Sequence, residues 1–129
     1  MDEGFERTLL RETDIRNGLK KFYCEALEVY TSGDNALGCM VMCTAPAAAA
    51  SHPEVQTDLL EVIQHIDKKL LKRFEKAMAD GEIGKAQDPK LLAKLVQAVL
   101  HSLAIRARAG EPKASLRKFA DSSVATLFA

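Results

Sequence analysis

Apolar residues recur every three or four positions along most of this 129-residue chain. That spacing predicts amphipathic helices, and no run of β-branched residues alternates with polar ones as a strand would require. The predicted helices span residues 2–12, 14–32, 36–45, 51–80, 88–110 and 112–128, with the capping residues included. The sequence therefore predicts a single all-α domain over residues 1–129, a helical bundle of about six helices.

Local signals around the middle of the chain predict a helix break followed by a helix start. Pro46 should end or kink the short helix before it, because proline supplies no N–H to the hydrogen-bond ladder. Ser51 and Glu54 fit a capping box, which predicts Ser51 as the N-cap of a long helix. Pro53 would then lie in the first turn, where its missing N–H costs nothing.

The later helices are bounded by equally local signals. Asp88 before Pro89 predicts an N-cap followed by a proline at the first helical position. Gly81 and Gly110 predict the ends of the two long helices, since glycine accepts the left-handed conformation that often follows a helix.

The helix over 88–110 has two faces that favour burial. A purely apolar face belongs to the core and comprises Leu92, Val96, Val99, Leu100, Leu103 and Ala107. The second face is too apolar for water and too polar for a dry core, and it comprises Leu91, Leu95, Ala98, His101, Ser102 and Ile105. The final helix presents small residues at Ser122, Ser123 and Thr126. These faces predict a two-fold homodimer in which the last two helices of each chain form a four-helix bundle. The alternative is that both helices are central in a monomer.

Composition and charge narrow the possible functions. Lys and Arg total 18, and Asp and Glu total 18, so the formal net charge is zero. A DNA-binding protein usually carries a basic excess, which this chain lacks overall. No segment is long and apolar enough to span a membrane, and residues 1–4 do not begin a signal peptide. With three cysteines, an odd number, the sequence predicts free thiols in a reducing cytoplasm.

The candidate chemistry is sparse. Cys39 and Cys43 lie four residues apart with His52 nearby, but no fourth ligand follows at a metal-binding spacing, and buried structural cysteines are the commoner case. His101 is interpreted as a packed interface histidine. The charged run over 67–76 mixes acids and bases, as a solvated helix face does. With no phosphate loop, nucleophile motif or paired catalytic carboxylates, we predict a protein that is not an enzyme and binds no metal or cofactor.

Several segments in succession match a known family. They are 37–40 (LGCM), 52–55 (HPEV), 74–77 (FEKA), 80–83 (DGEI), the Asp88-Pro89 start, Ala93, 102–110 (SLAIRARAG) and Leu116. In their order and spacing the chain resembles the C-terminal ligand-binding and dimerisation domain of TetR/AcrR-type transcriptional repressors. The N-terminal helix-turn-helix that usually precedes this domain is absent from the sequence, so contact with operator DNA is expected only through that missing domain.

The resemblance implies a small apolar or aromatic effector whose binding shifts the conformation of the dimer. The candidate pocket residues are Phe5, Leu9, Phe22, Tyr23, Leu27, Met40, Ile63 and Leu103, for which ordinary core packing is the alternative. A different functional class also stays open: a head-less helical protein that pairs with a full-length regulator and modulates it.

Overall fold

The computed structural model describes residues 14–31 and 45–128 of the chain. In these two ranges it contains helices α1 (Ile15–Thr31), α2 (Ala45–Ala49), α3 (Pro53–Ala79), α4 (Pro89–Arg108) and α5 (Lys113–Leu127), and no strand. The all-α prediction is therefore confirmed. The predicted helix over 2–12 lies outside the described residues, as does nearly all of the one over 36–45.

Helix α4 lies at the centre of the fold. It packs against α1, α3 and α5, while α1 also packs against α5 and α2 packs against α3. Leu100 and Leu103 of α4 are completely buried, together with Leu19 of α1, Leu70 of α3 and Leu116 of α5. One apolar core thus joins four helices, as the period of three and four residues predicted.

The core does not extend along the whole of α3. Buried positions of this helix begin at Ile66 and continue through Leu70, Phe74 and Ala77. Nearer its N-terminus, Leu60 is 52% exposed and Val62 is 40% exposed. Only the C-terminal half of α3 therefore contributes to the core formed by the described helices.

The start of α4 and the ends of both long helices agree with the sequence. The Asp88 side chain accepts a hydrogen bond from the Lys90 backbone N–H at 2.9 Å, with Pro89 in the first turn. Gly81 and Gly110 follow the C-caps of α3 and α4 with φ values of 80° and 91°. Residues that carry a side chain rarely adopt these backbone angles, so glycine suits both positions.

The predicted start of α3 is wrong by one residue. His52, not Ser51, is the N-cap, and it has an extended backbone with φ −132° and ψ 99°. A residue that precedes proline is disfavoured in the helical conformation, so Pro53 prevents His52 from being the first helical residue. The capping box with Glu54 does not form for this reason. Pro46, expected to break a helix, lies in the first turn of α2, where its missing N–H is tolerated.

A buried charge joins α3 to the start of α1. Arg73 is only 2% exposed although it lies in the charged run predicted to be solvated. Its Nη2 is 3.6 Å from Oε2 of Glu82, and Oε1 of Glu82 accepts a hydrogen bond from the Ile15 backbone N–H at 3.0 Å. Arg73 is buried because it shares the core side of α3 with Leu70 and Ala77. Glu82 therefore serves two elements, as a counter-charge for α3 and as a cap for α1.

Replacing Glu82 by glutamine should destabilise the fold. The amide keeps the shape of the side chain but removes the charge that faces Arg73, so the buried guanidinium loses electrostatic compensation. We expect the free energy of unfolding to fall by about 1–3 kcal/mol, measured by urea denaturation. The matched control is Glu75→Gln on the exposed side of α3, which should have little effect. Equal losses for both variants would contradict this role of Glu82.

Candidate functional site

The outer face of α4 carries a stripe of apolar side chains that point away from the core. Leu91 and Ile105 are each 53% exposed, and Leu95 is 39% exposed. Ala98 is exposed and Ser102 is half-buried between them. These five residues, which we call the α4 stripe, follow one another at spacings of four, three, four and three. Helices that pair along a seam use this spacing.

Helix α5 carries three small polar residues at its surface or surface edge. Ser122 and Thr126 are exposed, and Ser123 is half-buried. The Ser123 hydroxyl donates to the Phe119 carbonyl at 2.8 Å, so its hydrogen bond is made within its own helix. Small side chains of this kind let another helix approach closely. The residues predicted for the dimer interface on α4 and α5 thus lie on the surface or at its edge in the single chain.

A polar cluster lies at the C-terminal end of the α4 stripe. Arg106 donates through Nε to the Ser102 hydroxyl and through Nη1 to Glu111 Oε1, both at 3.0 Å. Its guanidinium carbon also lies 5.5 Å from the centre of the Phe119 ring on α5. The Ser115 hydroxyl donates to the other oxygen of Glu111 at 3.2 Å. This cluster joins α4 to α5 and resembles the polar rim that borders an apolar interface.

A hydrogen-bond network crosses from α3 to α4 beside the stripe. Gln97 is 2% exposed, and its Nε2 donates to the Ile63 carbonyl at 3.1 Å and to Asp67 Oδ1 at 2.6 Å. Both amide hydrogens of Gln97 are then used. Its Oε1 lies 3.2 Å from His101 Nε2. Because an amide oxygen only accepts, His101 must be the donor of this hydrogen bond.

The network determines the tautomer of neutral His101. When the imidazole is neutral its proton must be on Nε2, which leaves Nδ1 as an acceptor. Burial lowers the pKa of His101, and the nearby carboxylate of Asp67 opposes that shift with a smaller effect. His101 was predicted to be a packed histidine at the interface face, and in the single chain it is half-buried at the edge of the stripe.

Part of the predicted ligand pocket is found inside the core. Phe22, Tyr23, Leu27 and Leu103 are all buried in one cluster, whereas Ile63 is only half-buried and is not among its members. Phe5, Leu9 and Met40 lie outside the described residues. The geometry thus brings four of the eight predicted residues into a common core.

The hydroxyl of Tyr23 already has a partner. It donates to the Val96 carbonyl at 2.8 Å, which ties α1 to α4 inside the core. Burial raises the pKa of Tyr23, so the phenol stays protonated. The single proton of this hydroxyl is therefore used within the protein, so a ligand that needs a hydrogen-bond donor from Tyr23 must compete with the Val96 carbonyl.

Gln97 and Asp67 were not identified from the sequence as a functional pair. Gln97 lies at helical spacing from Ala93, Leu100 and Ala104, all of which are buried. A polar side chain on the core side of a helix is a signal for a buried hydrogen bond. Its partner could not be identified in this way, because Asp67 belongs to a charged run and the packing of α3 on α4 is not encoded in local spacing.

Two further findings concern chemistry. Across residues 14–31 and 45–128, no group of three or more His, Cys, Asp or Glu side chains is arranged to hold a metal ion. Cys39 and Cys43 lie outside these ranges, so the expectation that they bind no metal stays a prediction. None of the described helices is sufficiently long and apolar to cross a membrane.

Comparison with known proteins gives a consistent result. The family model for the tetracyclin repressor-like C-terminal domain matches residues 17–122. The structure is similar to that of a proposed TetR transcriptional regulator from Rhodococcus sp. RHA1, with a TM-score of 0.78 and 26% sequence identity. That match covers 98% of this chain and 67% of the Rhodococcus chain. Comparison with curated proteins finds no significant match.

The depressed pKa of His101 predicts how stability changes with pH. The neutral ring is favoured by folding, so its contribution is fully present above the ordinary pKa of 6.5 and is lost as the pH falls toward the lower pKa of the folded state. Urea denaturation between pH 7.5 and 5 should show this loss. His101→Gln, which keeps a side-chain N–H for Gln97, should flatten the profile in this range. His65→Gln, at an exposed position of α3, should retain it, and identical profiles for all three proteins would exclude His101 as the cause.

Proposed function

Because this chain belongs to the tetracyclin-repressor-like C-terminal domain family, we propose that it is the effector-binding and dimerisation domain of a TetR-like transcriptional repressor. The observation that carries the proposal is the α4 stripe, an apolar helix face that the described part of the chain leaves exposed. A domain that worked alone would gain nothing from exposing Leu91, Leu95 and Ile105 to water at regular spacing.

The proposed dimer is two-fold symmetric. Such an interface uses the same surface of both subunits, so each stripe residue would be buried in both of them. α4 and α5 of one chain would pack against their copies as a four-helix bundle, with the small residues Ser122 and Thr126 allowing close approach. The Arg106–Glu111 cluster would then lie at the rim, where charged groups keep their contact with water.

The proposed effector is a small apolar or aromatic molecule held among α1, α3 and α4. Phe22, Leu27 and Leu103 provide an apolar surface, and Ile63 lies half-buried on the neighbouring helix. The bond from Tyr23 to the Val96 carbonyl connects this region directly to the helix that carries the stripe. An effector that binds one arrangement of α1 and α4 better than another would bias the dimer toward that arrangement.

Operator binding is assigned to a DNA-binding domain outside the described residues. The family resemblance places that domain before the first helix, and about a third of the Rhodococcus chain lies beyond the region matched here. A repressor of this kind acts in the cytoplasm, and we place this chain there. No step in this role requires the domain to be an enzyme.

The substitution Leu95→Lys should dissociate the proposed dimer. Two-fold symmetry would place two ammonium groups in the apolar seam, so we expect the dimer dissociation constant to rise by about a hundredfold or more. Analytical ultracentrifugation of the 14.1 kDa chain should change from dimer to monomer. The circular dichroism spectrum of the variant should still be that of a helical protein, because Leu95 is not part of the core.

Val29→Lys is the matched control for that variant. Val29 is 47% exposed on α1, so the substitution places the same charge on an apolar surface residue away from the stripe. This variant should sediment as the unmodified protein does. A wild-type protein that is monomeric at tens of micromolar, or a dimer insensitive to Leu95→Lys, would refute the proposed interface.

A larger side chain at Ile63 should block the effector. Naphthalene and indole are suitable probes, and at least one should raise the melting temperature of the wild-type protein, since binding to the folded state stabilises it. Ile63→Trp should abolish that increase by occupying part of the proposed effector site. Val62→Trp is the control at the adjacent, more exposed position and should leave the increase unchanged. If the probe raised the melting temperature and neither variant changed that increase, the ligand would bind elsewhere.

A further inference from the structure

A groove separate from the apolar core runs along the outside of the seam between α3 and α4. It has a volume of about 420 Å³ and is lined by Gln64, Asp67, Lys68 and Leu71 of α3 and by Lys90, Ala93 and Lys94 of α4. The lining residues recur at spacings of three and four on both helices, so the groove follows the line where the two helices meet.

The walls of the groove are basic. Lys68, Lys90 and Lys94 are all exposed, and within the described residues none of these three ammonium groups forms an ion pair. The single acid is Asp67, whose Oδ1 already accepts the short hydrogen bond from Gln97. Three positive charges against one negative charge give the groove a net attraction for anions.

The floor of the groove is apolar. Ala93 is buried and Leu71 is half-buried, and both are in contact with the core cluster or belong to it. An inorganic anion would satisfy the lysines but would leave the accessible part of Leu71 in contact with water. A ligand that carries both a negative group and a short apolar body would match both parts.

We propose that this groove binds small carboxylates with an apolar body, such as an aromatic or short aliphatic acid. The carboxylate lies between Lys90 and Lys94, where charge-assisted hydrogen bonds are available. The apolar body covers the accessible part of Leu71. The site is distinct from the proposed core site because it opens outward and selects for charge.

The position of Asp67 gives the groove a connection to the interface helix. An anion in the groove lies beside the carboxylate that holds Gln97, and Gln97 in turn accepts the hydrogen bond from His101. Repulsion between the bound anion and Asp67 therefore acts on the network at the edge of the α4 stripe. The charge of Asp67 should therefore weaken the binding of a carboxylate. Neutralising Asp67 should tighten that binding, whereas neutralising a lysine should weaken it.

Benzoate is the probe, with benzamide and acetate as matched controls. Benzamide has the same ring without the charge, and acetate has the charge with almost no apolar body. Titration of the isotope-labelled 129-residue chain, followed by NMR, should give saturable shifts of the Ala93 and Lys94 amide signals with benzoate. We expect benzoate to bind at least about fivefold more tightly than either control. Equal affinities for benzoate and benzamide would overturn the role of charge, and equal affinities for benzoate and acetate the role of the apolar floor.

Three variants and one control variant complete the test. Lys90→Gln and Lys94→Gln should each weaken benzoate binding by about two- to fivefold, while Lys20→Gln on the exposed surface of α1 should not. Asp67→Asn keeps an acceptor for Gln97 but removes the charge, so it should tighten binding by about twofold or more. Damage to the fold cannot mimic this increase. Weaker binding to Asp67→Asn, or shifts confined to Phe22 and Leu103, would refute the groove without affecting the proposed dimer or core site.

Discussion

Helix α4 has apolar residues on two opposite faces, and a single chain covers only one of them. The inner face meets α1, α3 and α5 and supplies Val96, Leu100 and Leu103 to the core. The outer face carries the exposed α4 stripe. The helix is therefore central to the fold of the single chain, and its outer face is the surface that we propose for contact with a second copy.

Buried polar groups determine how α3 lies against its neighbours. Apolar contacts tolerate sliding, whereas a buried amide or guanidinium is costly unless its partners stay in place. Gln97 holds the middle of α3 through Ile63 and Asp67. Farther along, Arg73 and Glu82 join α3 to the first residue of α1. These two connections fix the register of α3 against both helices more specifically than the apolar core alone could.

The sequence predicted the helices well because their signals are local. Asp88, Pro89, Gly81 and Gly110 determine helix ends through the conformations of one or two residues, and the structure confirms them. The error at His52 was also local, since the restriction that Pro53 places on the preceding residue outweighs a plausible capping box. The exposure of Leu91, Leu95 and Ile105 agrees with the predicted interface face, although the pairing itself stays a proposal.

What the sequence could not supply were contacts between helices. Arg73 and Asp67 belong to a charged run of the kind that is solvated on most helices. The burial of Arg73 and the partial burial of Asp67 depend on how α3 packs rather than on their neighbours in the chain. The same limitation applies to Tyr23, a predicted pocket residue whose hydroxyl donates to the Val96 carbonyl, a partner that periodicity could not identify. Periodicity identifies the face of a helix, but the partner across the gap depends on the offset between two helices.

The spacing of the α4 stripe has a consequence for the shape of an assembly. Its residues repeat every 3.5 positions on average, whereas a straight α-helix turns once in about 3.6 residues, so the stripe drifts by about 20° per seven residues. Two copies of α4 that stayed in contact along the stripe would have to wind around each other with a left-handed twist and cross at about 20°. In the dimer that we propose, the spacing of five side chains would therefore set the handedness of the helix pair and the angle between the two subunits.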